Sequence, residues 1–179
     1  MTELTLSGPA DVDLGLLLLR VLVGVTFSLH GFQKLFGWFG GGGFDGTSRW
    51  FASLGFGDGR AATLLAGGSE VAGGLGLALG LLTPLAAAAV IGTMTTAAWV
   101  NHTSNGFWSA SKGWETNGYL IAVAWALATT GPGRLSLDRV LADAAVVEVP
   151  AGVVPGLVAL AVGTAGGTLR WTTRDRTAD

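Results

Sequence analysis

The sequence predicts an all-α polytopic membrane protein: an antiparallel four-helix transmembrane bundle followed by a fifth, C-terminal transmembrane helix. Three observations carry this. Of 179 residues, 50% are hydrophobic and only 12% charged, about half the charged share of a soluble domain. Apolar runs of membrane-crossing length, about 20 residues, recur along the chain. The 30 glycines suit helix contact in lipid, which depends on small residues. A net charge of −2 with no basic block leaves no footprint for nucleic acid. The absence of cysteine excludes thiol relays, disulfides, thiolate-held clusters and thioether-linked haem within this chain.

Residues 12–36 form the first apolar run, long enough to cross with some tilt. Glu3, Asp11 and Asp13 precede it, the opposite of a secretory leader, so the run is read as a retained span. It carries Arg20, His30 and Lys34, which fall within about 80° of one another on a helix wheel. That face is expected to turn inward, because a charge at the bilayer centre costs about 2.5–3.5 kcal/mol on insertion scales. The glycines at 40–43 break the helix. Thr47 or Ser48 is expected to cap a short interfacial helix over about 46–54 that bears Trp50, Phe51 and Leu54.

The second span, 61–82, is interrupted by Glu70 and lined by Gly73, Gly76 and Gly80, small residues at helix-packing spacing. Thr83-Pro84 reads as a tight turn that returns the third span, 85–103, beside the second. That span ends in Trp99, Asn101 and His102. A polar loop with Phe107, Trp108, Lys112 and Trp114 leads to Glu115, which opens a fourth span through Thr130. Gly131-Pro132-Gly133 stops it, and Ser136 is expected to cap a short amphipathic helix. A fifth apolar run, 151–171, carries the pairs Gly152/Gly156 and Gly163/Gly167, spaced for a homodimer or partner contact. Arg170, Arg174 and Arg176 make a basic tail. The chain thus divides into a four-helix core, 1–141, and a linker, extra helix and tail, 142–179.

Alternating the spans brings His30, Lys34, Glu70, His102 and Glu115 toward one side of the membrane. At about 1.5 Å per residue, His30 lies about 9–10 Å deep and Glu70 about 14 Å, while Arg20 is about 24 Å away toward the other face. Depth therefore pairs His30 with Glu70, a carboxylate and imidazole able to share a proton. The competing reading is a structural ion pair that only specifies packing. Lys34 is expected to snorkel to the interface. Arg20 is expected to snorkel or to hold a carbonyl or Asp138 on its own side. Trp99 or Phe27 would wall a pocket, with Lys34 and His102 at its mouth and Glu115, near the same surface, a further candidate binding residue.

Arg20, the HGxxKLFG run at 30–37, the run from Glu70 to Pro84, His102 with Gly106-Phe107, Glu115 and GPGRLSLD at 131–138 together resemble the DoxX-like membrane protein family. That family includes DoxD, the small membrane subunit of thiosulfate:quinone oxidoreductase. The resemblance covers about 14–141. It implies a four-helix bundle in the bacterial or archaeal cytoplasmic membrane, associated with quinone and oxidoreductase partner subunits. Under it, His30 and Glu70 would hydrogen-bond quinone oxygens and move protons, with thiosulfate or another small reductant as one source of electrons. A non-catalytic membrane anchor for an oxidoreductase fits the same features. Small-solute transport ranks below both, because its polar site would sit at midplane. The depth mismatch between His30 and His102 argues against haem, and no metal site is assigned. Lys34, Arg49, Arg60, Lys112 and the arginine tail point the polar cluster toward the cytoplasm.

Overall fold

A computed structural model describes residues 9–175; Glu3 and Arg176 lie outside the described residues. Every regular element among them is helical. The elements are α1 (Pro9–Phe36), α2 (Gly43–Ser53), α3 (Arg60–Leu79), α4 (Thr83–Ala97), α5 (Glu115–Thr130), α6 (Leu137–Asp143) and α7 (Val153–Thr172). Four helices are long and apolar enough to cross a membrane: α1, α3, α4 with its C-terminal extension, and α7. At 16 residues, α5 is about 24 Å long, shorter than a hydrocarbon core of about 30 Å.

The helices meet where side chains are absent. Gly24 of α1 faces Gly74 of α3, and Gly31 faces Gly67. A Cβ at Gly24 would lie 2.4 Å from the Gly74 carbonyl oxygen, and one at Gly31 2.7 Å from that of Gly67. The two helices run in opposite directions along this seam. Its seven-residue spacing escaped the sequence reading, which looked for four. On the other side of α3, Gly73 abuts Ala89 and Gly76 abuts Ala86 of α4. Gly80, with φ +62, is the left-handed cap that ends α3, and it also packs closely: a Cβ there would run into the Arg20 guanidinium and Ser136.

The turn after α3 differs from the expected Thr83-Pro84. It comprises residues 80–82, and Thr83 and Pro84 already belong to the first turn of α4, where proline fits because its missing N–H is one of the helix's orphans. Leu82 is held at φ +47, a conformation that disfavours a side chain. Buried Asp138 supports it, accepting from Leu82 N at 2.7 Å, Thr83 N at 3.0 Å and Thr83 Oγ1 at 2.7 Å. Arg20 is fully buried and donates to the carbonyls of Leu77, Ala78 and Leu135. Of its expected roles, carbonyl capping is the one it performs. Asp13 receives the Arg134 backbone N–H at 2.8 Å and pairs with its guanidinium, tying α1 to the segment before α6. Ser136 caps α6 as expected, accepting from Arg139 N.

At the opposite end, α2 begins at Gly43 behind Gly42. Thr47 and Ser48 are interior to it and buried, and Ser48 Oγ lies 3.1 Å from Thr63 Oγ1 of α3. They anchor α2 rather than cap it. Three glycines of α7 are used within the chain: Gly156 sits on Thr129, Gly163 on Ile91 and Gly167 on Gly92 and Thr95. A Cβ at Gly163 would come within 2.7 Å of Ile91 and 2.8 Å of the Ala88 carbonyl oxygen. Gly163→Val is therefore expected to loosen α7 from α4 at a cost of about 1–3 kcal/mol, the usual range for overpacking. Thermal unfolding of detergent-solubilised protein reads this, and an unchanged midpoint would contradict the seam.

Candidate functional site

One cavity of about 900 Å³ runs between the helices, walled by Phe27, His30 and Lys34 of α1, Glu70 of α3, and Asn101 and His102 beyond α4. Thr116 and Asn117 of α5 and Lys112 of the preceding loop complete its polar end. Positions 27, 30 and 34 share a helix face because three- and four-residue steps stack on one side. Asn101 and His102 reach the same space from a π-turn, Ala98–His102, that widens the end of α4; such turns are frequent at functional sites.

Glu70 is paired with Lys34, not with His30. The ammonium lies 2.8 Å from Oε1 and 2.7 Å from Oε2. Comparing backbone depths misassigned the partner because the lysine stem is long enough to carry its charge inward. The same flexibility that permits snorkelling here serves a carboxylate only 3% exposed, whose charge would be costly to bury alone.

His30 is exposed at the cavity wall, its Nδ1 3.1 Å from Gln33 Oε1. Gln33 uses its amide nitrogen to donate to the Phe39 carbonyl at 3.2 Å, so its oxygen accepts and His30 Nδ1 carries the proton. His102 Nδ1 lies 2.7 Å from the Lys112 carbonyl oxygen, which only accepts. Both rings therefore carry hydrogen on Nδ1 and leave Nε2 for a ligand, a tautomer assigned from partners. Asn117, unmarked in the sequence reading, is buried and donates to Met94. Its position two residues into α5 was no signal by itself.

Two expected site residues lie off the cavity. Trp99 stacks on Trp171 with ring centroids 5.0 Å apart, while Trp50 and buried Phe27 supply aromatic wall instead. Glu115 holds the loop before α5, accepting from Ser109 N at 2.8 Å and from the Tyr119 hydroxyl. Among the described residues no three His, Asp or Glu side chains converge as a metal site would require. The cavity's charged lining is cationic on balance, with Lys34, Lys112 and Arg170 against Glu70.

The DoxX family model matches residues 15–103, from α1 through the π-turn. The chain is also similar to the inner membrane protein YphA of Escherichia coli (strain K12), with 33% identity over 137 residues, 69% of this chain and 88% of that protein. No solved structure matches it. The matched region contains the α1–α3 seam, the Lys34–Glu70 pair and both histidines, and the chain belongs to the DoxX family.

Proposed function

We propose that this chain is a multi-pass subunit of the cytoplasmic membrane that binds a quinone and works with an oxidoreductase partner that supplies electrons. The observation behind this reading is the combination in one cavity of the Lys34–Glu70 pair with two histidines that each leave Nε2 available. A quinone fits the cavity's chemistry: apolar and aromatic walls for a ring, and few polar groups to orient its oxygens. When bound, it would accept two electrons and two protons. His30 and His102 would accept at Nε2 from the hydroxyls of the reduced, quinol form, and Lys34 would donate to a quinone oxygen and steady negative charge there. Glu70 keeps Lys34 in place; a proton given by the Lys34 ammonium would have to be replaced, and Glu70, the acidic residue of the cavity wall, could take one up and pass it on.

In this reading α5 also crosses the membrane, packed on α4 and α7 with Ala124, Leu127 and Ala128 buried, giving five alternating spans. Lys34, Arg49, Arg60, Lys112, Arg170 and Arg174 lie at the cavity end, against Arg134 and Arg139 at the other. Charge asymmetry turns the cavity end to the cytoplasm. The anchor reading is favoured by one observation, the aromatic loop in which Phe107 packs edge-on against Trp108 and Trp114. Trp108 is 66% exposed, a surface on which an oxidoreductase could dock.

Quenching of tryptophan fluorescence by decylubiquinone in nanodiscs tests the quinone reading, since Trp50 lies on the wall. His30→Ala and His102→Ala are each expected to weaken binding of the reduced form, decylubiquinol, read by its competition with the quencher, about tenfold, the worth of one good hydrogen bond. Wild-type affinity in both variants would overturn the assignment.

A further inference from the structure

Gly166 of α7 is a helix-interior glycine that no packing contact requires. A Cβ at its neighbours Gly163 and Gly167 would come within 2.7 and 2.5 Å of α4, whereas one at Gly166 meets nothing within 4 Å. Interior glycine costs a helix about 0.5–1 kcal/mol relative to alanine. What the residue leaves is room.

That room is the lateral arm of the cavity. Helices α3 and α7 pack on different faces of α4, α3 at Ala86 and Ala89 and α7 at Ile91 and Thr95. Between them Ala89, Gly92 and Thr96 form a floor, with Leu65 of α3 on one side and Val162 and Gly166 of α7 on the other. Leu65 and Val162 are 60% and 59% exposed at the rim, on helices of membrane-crossing length, so the opening faces lipid. At the loop end α7 is tied across to the segment after α2. Arg170 lies over the Phe56 ring at 4.5 Å, Arg174 donates to the Leu54 carbonyl at 3.0 Å, and Asp175 N to that of Gly55 at 2.8 Å. The groove is continuous with the Lys34–Glu70 end, and at about 900 Å³ the whole space is at the upper end of ligand pockets, about 300–1,000 Å³. One ring fills only part of it.

We infer that the groove between α3 and α7 is a tail channel: the hydrocarbon chain of the ligand lies over Gly92 and passes Gly166 into the bilayer while its ring occupies the polar end. This rests on the quinone reading. One jamb of the channel, α7, lies beyond the residues matched by the family model, so tail recognition is an addition to the shared core.

The test compares decylubiquinone with a dimethoxy benzoquinone that has no tail, on the full chain in nanodiscs. Gly166→Leu is expected to weaken decylubiquinone binding about tenfold, the equivalent of about two buried methylenes. The tailless ring should bind as before. Gly68→Leu is the control, a glycine on α3 with the same open surroundings but off the cavity, and should change neither affinity. A second variant does not depend on filling the channel: in this cysteine-free chain, Gly166→Cys should label with a membrane-permeant maleimide, more slowly with decylubiquinone and at an unchanged rate with the tailless ring. If both quinones bind but neither variant distinguishes them, the tail channel is overturned and the ring site stands. If neither quinone binds the wild-type protein, the quinone reading falls and the tail assignment falls with it.

Discussion

Glu70→Leu is expected to destabilise the protein by about 3–5 kcal/mol, the cost of leaving the other member of a buried ion pair uncompensated. Lys34 is a quarter exposed, which places the loss toward the lower end. The double variant Lys34→Met/Glu70→Leu should recover most of it, because replacing a buried pair by apolar residues of similar volume is often neutral or stabilising. Denaturant-induced unfolding in mixed micelles reads both. Equal losses in the single and double variants would show that the pair contributes through something other than charge compensation. Recovery of stability would mean that packing alone does not need these charges, which leaves a ligand as the reason for them.

Arg20→Leu should be at least as damaging, about 3–5 kcal/mol, and without rescue by a second change. Its guanidinium satisfies carbonyls of two segments, Leu77 and Ala78 at the end of α3 and Leu135 before α6. It also lies in the field of Asp138, whose carboxylate supports the left-handed Leu82. Removing the cation strands buried carbonyls and takes a nearby positive charge from Asp138, which keeps its donors from Leu82 and Thr83. Because this knot lies at the other end of the helices from the polar end of the cavity, the folded fraction should bind quinone as the wild type does. A variant with normal stability but lost binding would contradict the division into a structural end and a ligand end.

The helices were legible because lipid-crossing segments need long apolar runs, and the runs ending at Phe36 and Thr130 coincide with α1 and α5. The cap at Ser136 was legible because capping is local chemistry. The partner of Glu70 was not: depth along a helix locates a Cα, whereas a lysine ammonium sits several ångströms from its own. Trp99 illustrates the same limit. Its position at the end of α4 was evident, but the side to which its ring turns depends on Trp171, 72 positions further along the chain. Glycine spacing did not name its neighbour. Gly24 and Gly31 form a seam at seven-residue spacing, while the four-residue pair Gly163 and Gly167 meets α4. Small residues announce close contact and not the surface they contact.

Lys34, Glu70 and His30 are proposed to hold a ligand and not merely to be part of the fold. Quinone titration of the Lys34→Met/Glu70→Leu protein in nanodiscs, alongside its unfolding midpoint, tests this most directly. The doubly substituted protein is expected to unfold near the wild-type midpoint and to have lost decylubiquinone binding. Binding at wild-type affinity in that stable variant would contradict it.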